Sequence, residues 1–334
     1  MRSCQHCHSS PSSGRAAGWL LVGRHEHTAR LISFIIFAVV GLTAWGGGGD
    51  SARDGLTTQT YEPPPVAGAS AWTFRGSRES TRVNRFDERP AWAFLKRQVA
   101  FGPRPAGSQK SRELAELLRR SLPRGRFQAV PGGLRNVVGT IPGRNPRRTV
   151  VLGAHYDTKD LPGFVGANDS ASGTAVVRQL ASTIRPRQLR PTLIVVFFDG
   201  EEAPPGKDAE FERYGLRGSK VAARAFRLAE AAVVLDFVGD RDLAIPRDQY
   251  SNRRLWTKLR AAARRTGYAR HFPAWEQGAV LDDHVPFIRA KVPAIDLIDF
   301  DFACWHRTCD DLTAVSPRSL DAVGETLMAF LADL

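Results

Sequence analysis

Cysteine is scarce in this chain. The 334 residues hold four, paired as Cys4/Cys7 and Cys304/Cys309, and no further Cys/His pair completes the thiolate cluster of a structural zinc site. Cys4-Gln5-His6-Cys7-His8 has the spacing of a c-type haem attachment site. Such attachment belongs on the outer side of a membrane, whereas this segment is expected inside, so residues 1–30 read as a cytoplasmic or dispensable extension. A basic stripe interleaved with aromatics is also missing. The formal charge of +13 and pI near 10.2 come from arginines scattered along the chain, which excludes nucleic acid as a partner and leaves anionic lipid headgroups as the fitting acidic surface. The densest basic cluster, Gly143-Arg144-Asn145-Pro146-Arg147-Arg148, reads as an exposed turn between strands. Internal repeats are absent, and the composition carries no signal of oligomeric state.

One long apolar run is present. Residues 31–45 (LISFIIFAVVGLTAW) follow Arg24 and Arg30 and precede a run of glycines. The uncharged stretch 31–48 sits at the short end of the length that spans a bilayer, so it reads as a signal anchor or a cleaved signal peptide. The flanking arginines stay on the cytoplasmic side, which sends everything after Asp50 outward. The expected location is therefore the cell membrane, with the bulk of the chain extracytoplasmic, or the secreted fraction. Residues 49–85, rich in Gly, Ser, Thr, Pro and Arg, read as a flexible linker. A disulfide between Cys304 and Cys309 is compatible with that outer location.

Residues 86–334 have 3.6-residue and continuous apolar patterns that alternate, without a second boundary. Helices are expected near 89–101, 108–122, 171–184, 218–227, 252–266 and 317–331. Strands are expected at 127–130, 136–140, 149–154, 192–198, 232–237 and 294–298. Two of these, Val150-Val151-Leu152-Gly153-Ala154 and Leu193-Ile194-Val195-Val196-Phe197-Phe198, are unbroken apolar runs. Such runs mark central strands covered on both faces. The fold class is α/β, a three-layer α/β/α sandwich with a mixed, largely parallel sheet, and its active site belongs at the carboxyl ends of the strands.

The acids and histidines fall at those ends. One strand runs into His155-Tyr156-Asp157, the next into Asp199-Gly200-Glu201-Glu202, and another ends at Asp236. Gly166-Ala167-Asn168-Asp169-Ser170 delivers Asp169 just before a helix, while Asp282-Asp283-His284 and Trp305-His306 flank the last strand. Carboxylate and imidazole donors without thiolates suit a catalytic zinc, which keeps a position open. Asp169, Glu202 and His306 supply that set. Of two adjacent acids only one readily ligates, which leaves Glu201 free to move protons. Asp157, two residues beyond His155 on the same face of an extended chain, is placed to fix an imidazole tautomer. His271 stands alone, and Asp310-Asp311 read either as support for the site or as a helix N-terminus.

With these residues in view, the stretch from about Val99 to Leu331 resembles the zinc-dependent glutaminyl-peptide cyclotransferases and, more distantly, the zinc aminopeptidases that share their fold. The resemblance rests on Ala154-His155-Tyr156-Asp157-Thr158-Lys159, Phe164-Val165-Gly166-Ala167-Asn168-Asp169-Ser170-Ala171, Phe197-Phe198-Asp199-Gly200-Glu201-Glu202-Ala203, Asp282-Asp283-His284-Val285-Pro286-Phe287 and Trp305-His306. It implies a zinc exopeptidase-like sandwich with Asp169, Glu202 and His306 as zinc ligands and Glu201 as general acid/base. Asp236 and Asp282 would form an acidic network, and Trp305, with Phe302 near it, would contact substrate. His155 and Asp236 match the positions that bind a second zinc in the aminopeptidases, so the resemblance favours one ion and allows two.

The implied activity is conversion of N-terminal glutaminyl residues of peptides or proteins to pyroglutamate with release of ammonia. Hydrolysis of the N-terminal peptide bond is the alternative, and a non-catalytic, membrane-anchored binding module is a third. Tyr214-Gly215-Leu216-Arg217-Gly218-Ser219 has a form common among the peptidases. Ala203-Pro204-Pro205-Gly206-Lys207 lacks the tryptophan that vertebrate cyclotransferases place after the Glu pair.

Overall fold

A computed structural model of the chain describes residues 85–334. The extension 1–30, the apolar segment 31–48, all of the linker before Arg85 and the Cys4/Cys7 pair lie outside the described residues. Among the described residues no helix is long and apolar enough to cross a membrane.

The described residues open with helices α1 (Glu88–Ala100) and α2 (Gln109–Ser121), then strands β1 (Arg126–Val130), β2 (Leu134–Ile141) and β3 (Asn145–His155). Next come α3 (Ala171–Thr183), β4 (Pro191–Phe198), the short α4 (Phe211–Tyr214), α5 (Arg217–Ala225) and β5 (Ala231–Asp236). They close with α6 (Arg253–Thr266), α7 (His284–Arg289), β6 (Ala294–Ile298) and α8 (Pro317–Ala332). Local chemistry sets several helix starts. Asp87, Ser108, Asn252 and Ser316 each accept a backbone N–H from the first turn they precede.

The six strands form one sheet in the order β1-β2-β4-β3-β5-β6. Pairs β3/β4, β3/β5 and β5/β6 are parallel, while β1 and β2 add an antiparallel edge. Side chains alternate across a strand, so an unbroken apolar run feeds two cores at once. Val150, Leu152, Leu193, Val195, Val233 and Leu235 face one core, which α1, α3, α6 and α8 complete through residues such as Phe94, Leu180, Leu259 and Leu327. Val151, Ile194, Val196, Ala232 and Val234 face the other, closed by Ala222 and Ala223 of α5 and Phe287 of α7. That is the three-layer sandwich expected of the pattern.

Two local expectations change. Residues 145–148, read as a turn, are the exposed start of β3, with Asn145 paired to Pro191 and an irregularity before Thr149. Their side chains reach past the cores, so no apolar alternation marks them; Arg148 instead pairs with Glu230 at 2.6 Å. Residues 284–289, read only as a motif, form α7. The helix is too short for a 3.6-residue period to show.

The fold delivers the strand ends to one rim. Gly173 lets α3 approach the sheet there: a Cβ at that position would stand 2.4 Å from the Leu235 carbonyl oxygen. Gly218 does the same for α5, where a Cβ would meet Asn136 Oδ1 at 2.3 Å and the Asp199 backbone at 2.6 Å.

Candidate metal centre and active site

His155 ends β3 and is buried. Its Nε2 lies 3.2 Å from Asp236 Oδ1 at the end of β5 and 3.3 Å from Asp169 Oδ1. Burial alone would push the imidazole pKa down, but Asp236, Asp157 and Asp169 outweigh it and raise it well above the ordinary value. Asp157 was expected to orient this ring. Its nearest oxygen is 3.7 Å from Nδ1, and it also accepts the backbone N–H groups of Glu201 and Glu202 at 3.2 and 3.3 Å. It thus fixes the turn that aims both glutamates.

Asp169 and Glu202 meet His306. The ring Nε2 lies 3.2 Å from Glu202 Oε1 and 3.5 Å from Asp169 Oδ2, and one donor atom from each of the three falls within 4.8 Å of the others. Asp169 Oδ2 is buried and accepts no hydrogen bond. An orphan carboxylate oxygen beside a second carboxylate and an imidazole is what a divalent cation satisfies, and this donor set suits zinc with an open position. His155, Asp169 and Asp236 form a second such group, so Asp169 lies where the two meet.

Glu201 is buried between these groups and the acids of the α7 loop. Burial first, then the charges of Glu202, Asp282 and Asp283, raise its pKa well above the usual carboxylate range, against a smaller pull from His155. Burial raises Asp236 to about 7, Asp169 and Asp282 adding to it while His155 opposes. A carboxyl that holds its proton near neutrality can both accept and donate one.

Behind Asp282 lies a buried network that only partly showed in the sequence. Asp296, in the middle of β6, is raised well above the usual range by burial and by Asp282, Asp248 and Asp236. His284 sits between Asp248 and Asp296 at 3.3 and 3.4 Å. A carboxylate inside the apolar run Ala294-Ile295-Asp296-Leu297-Ile298 was the available signal for Asp296; Asp248 had none. His271 stays outside, bonded to the Leu243 carbonyl at 2.9 Å.

Three further residues hold the Asp169 loop and the ligands. Arg104, fully buried, donates to the carbonyls of Val165 at 2.6 Å and Gly166 at 3.1 Å. Asp310 accepts the backbone N–H groups of Asn168 and Asp169 at 2.7 and 3.1 Å; of the two readings open for it, support for the site is the one seen. Lys159 bridges Glu202, at 3.3 Å, and Asp208.

These groups floor a cavity of about 800 Å³ lined also by Trp275, Val280, Phe300 and Trp305. Trp305 is 47% exposed and stacks on His306 with ring centroids 4.7 Å apart. Phe302, expected at the substrate, does not line this cavity: it is buried against Phe237 at 5.9 Å, and Phe300 takes the lining position. The segment 203–207 brings no tryptophan to the wall. Trp275, from the loop after α6, lines the same cavity and is 54% exposed. Cys304 and Cys309 are disulfide-bonded on either side of His306.

Comparison with known proteins places this architecture. The chain is 30% identical over 234 residues to a glutaminyl-peptide cyclotransferase of Drosophila melanogaster, covering 58% of this chain and 63% of that one. A glutaminyl-peptide cyclotransferase-like protein of Mus musculus is 29% identical over 231 residues, 59% of this chain and 60% of its own. The chain therefore spans about three-fifths of the length of these two relatives. Among solved structures, the glutaminyl cyclase of Tannerella forsythia superposes with a TM-score of 0.67 at 28% identity, over 75% of this chain and 99% of that one. A leucine aminopeptidase precursor from Bacteroides thetaiotaomicron gives 0.67 at 25% identity, over 75% and 98%. Residues 136–331, which hold the whole rim from His155 to Asp310, match peptidase family M28, and the chain belongs to that family.

Proposed function

We propose that this protein is a zinc-dependent glutaminyl-peptide cyclotransferase-like enzyme, with peptide or protein N-termini as substrate. The observation that carries the reading is the pairing of one carboxylate–imidazole triad with an adjoining buried carboxyl, Glu201, whose pKa burial and Glu202 raise above the usual carboxylate range. The similarity to cyclotransferases supports ring closure among the reactions such a site can run.

The reaction joins the substrate α-amine nitrogen to the side-chain amide carbon and breaks that carbon's bond to its NH₂ group, giving a lactam and ammonia. Glu201 takes the proton the amine loses and gives one to the departing nitrogen. Asp282, whose negative charge raises the proton affinity of Glu201, steadies the substrate amine. Asp169, Glu202 and His306 would hold zinc, which would supply positive charge to polarise the amide carbonyl. Trp305 and Trp275 wall the cavity and position the substrate over these groups.

A second reading, hydrolysis of the N-terminal peptide bond, is favoured by one observation. Asp169 is common to two donor groups, which together could hold two ions. We favour one ion; metal analysis of the wild type and an Asp236→Ala variant counts them. We assign residues 86–334 to the catalytic domain and place it outside the cytoplasm, anchored or released through residues 31–48; the Cys304–Cys309 disulfide supports that side. The test of the reaction is mass analysis after incubating the zinc-loaded protein with a glutaminyl peptide. Loss of ammonia alone is expected, and release of a free amino acid contradicts cyclisation.

A further inference from the structure

The third metal ligand stands on a loop with little core beneath it. Residues 303–309 are partly or fully exposed. His306 has φ of +51°, a left-handed conformation disfavoured for a residue with a Cβ and kept only where the surroundings over-determine it. Asp169 and Glu202, by contrast, are buried and backed by the sheet.

Two features hold the loop. The Cys304–Cys309 disulfide closes it around His306, and inside the ring Arg307 N–H donates to the Cys304 carbonyl at 3.0 Å. The next residue, Asp310, is fully buried and takes three successive N–H groups from the facing ligand loop. Ala167 donates to its main-chain carbonyl at 3.2 Å, Asn168 to Oδ1 at 2.7 Å and Asp169 to Oδ2 at 3.1 Å. One short segment, residues 304–310, thus carries one ligand in its middle and grips a second at its end.

We propose that the Cys304–Cys309 disulfide and Asp310 act as one staple that sets the spacing of His306 and Asp169, so that metal retention depends on the disulfide staying oxidised. The proposal rests on the metal centre described above and is independent of which reaction it serves. Cys309 is exposed, so a soluble reductant reaches it. The consequence is a protein that keeps its metal in an oxidising compartment and loses it in a reducing one. Asp310 touches the backbone of the ligand Asp169 and the two cysteines close the loop that carries His306, so all three are positioning groups.

The test measures zinc affinity by competition with a chromogenic chelator in the full chain. Four samples are compared: oxidised wild type, wild type reduced by a trialkylphosphine that ends as its oxide, the Cys304→Ser/Cys309→Ser double variant, and Asp310→Asn with the disulfide intact. The serine variant excludes zinc capture by freed thiols, and the reduced wild type covers failure of that variant to fold. A drop of about tenfold to hundredfold in the last three samples is expected, the range for groups that orient metal ligands. The melting temperature of the metal-free protein separates this from a purely structural bridge, which would lower that temperature and leave affinity alone. Affinity within about twofold of wild type in the reduced and serine forms overturns the staple. Loss of affinity without turnover of any peptide keeps the staple and refutes the proposed function.

Discussion

The two halves of the site are built differently. His155, Asp157, Glu201, Glu202 and Asp236 stand at the ends of β3, β4 and β5, buried between two cores. Trp275, Phe300, Trp305 and His306 stand on loops and are half exposed, the last three linked by ring contacts and His306 enclosed by a disulfide. The difference assigns them different work. Proton transfer needs fixed distances and a dry environment, which only the sheet supplies, whereas substrate must enter through the side that the loops form.

The largest expected effect breaks the buried half. Asp169→Asn removes a charge shared by both donor groups, and zinc affinity is expected to fall more than about a hundredfold, read by the same chelator competition. An unchanged affinity would move the metal elsewhere. Next is Arg104→Leu, which leaves the Val165 and Gly166 carbonyls buried without their donor. A loss of about 2–4 kcal/mol in urea unfolding is expected, and a loss under about 0.5 kcal/mol would show the loop held by other means.

The exposed half should respond in substrate binding instead. Trp275→Ala is expected to raise KM about tenfold for a peptide with a large apolar second residue, about the value of burying one such side chain, and to leave kcat nearly unchanged. A fall in kcat with KM constant would place Trp275 at the chemistry. The smallest effect sharpens the comparison through pH. Burial raises Asp199 to about 6, Asp236 and Asp299 to about 7 and Asp310 to about 8. The folded, metal-free protein thus binds more protons than the unfolded chain between about pH 4 and pH 8, and its stability falls as pH rises through that window. His155 and His306, also raised, add to the same slope. The metal-free melting temperature should drop by several degrees from pH 5 to pH 8, and zinc should flatten the drop. A metal-free melting temperature that rises over that interval contradicts the assignment.

This contrast also explains what could be read from the sequence. All six strands could be placed because β3 and β4 are unbroken apolar runs and the others carry shorter ones, and the acids at their ends follow directly. The loop half has no period. Nothing near Trp275 places it on the cavity wall, and Arg104 in Gly102-Pro103-Arg104-Pro105 reads as part of a breaker, although its side chain is fully buried. Phe302 and Phe300 are two residues apart in a strand-to-loop segment where a change of direction decides which one faces the cavity. His306 was legible from its place beside the last strand, whereas Trp305 as a wall residue was legible only through the family motif that contains it.

The central claim is that Glu201, beside an intact triad, moves the proton in ring closure. It is tested most directly by the rate of ammonia release from a glutaminyl peptide by zinc-loaded wild type and Glu201→Gln. The variant should retain its zinc and release ammonia about 10² to 10⁴ times more slowly, whereas a zinc-loaded variant as fast as wild type would contradict the account.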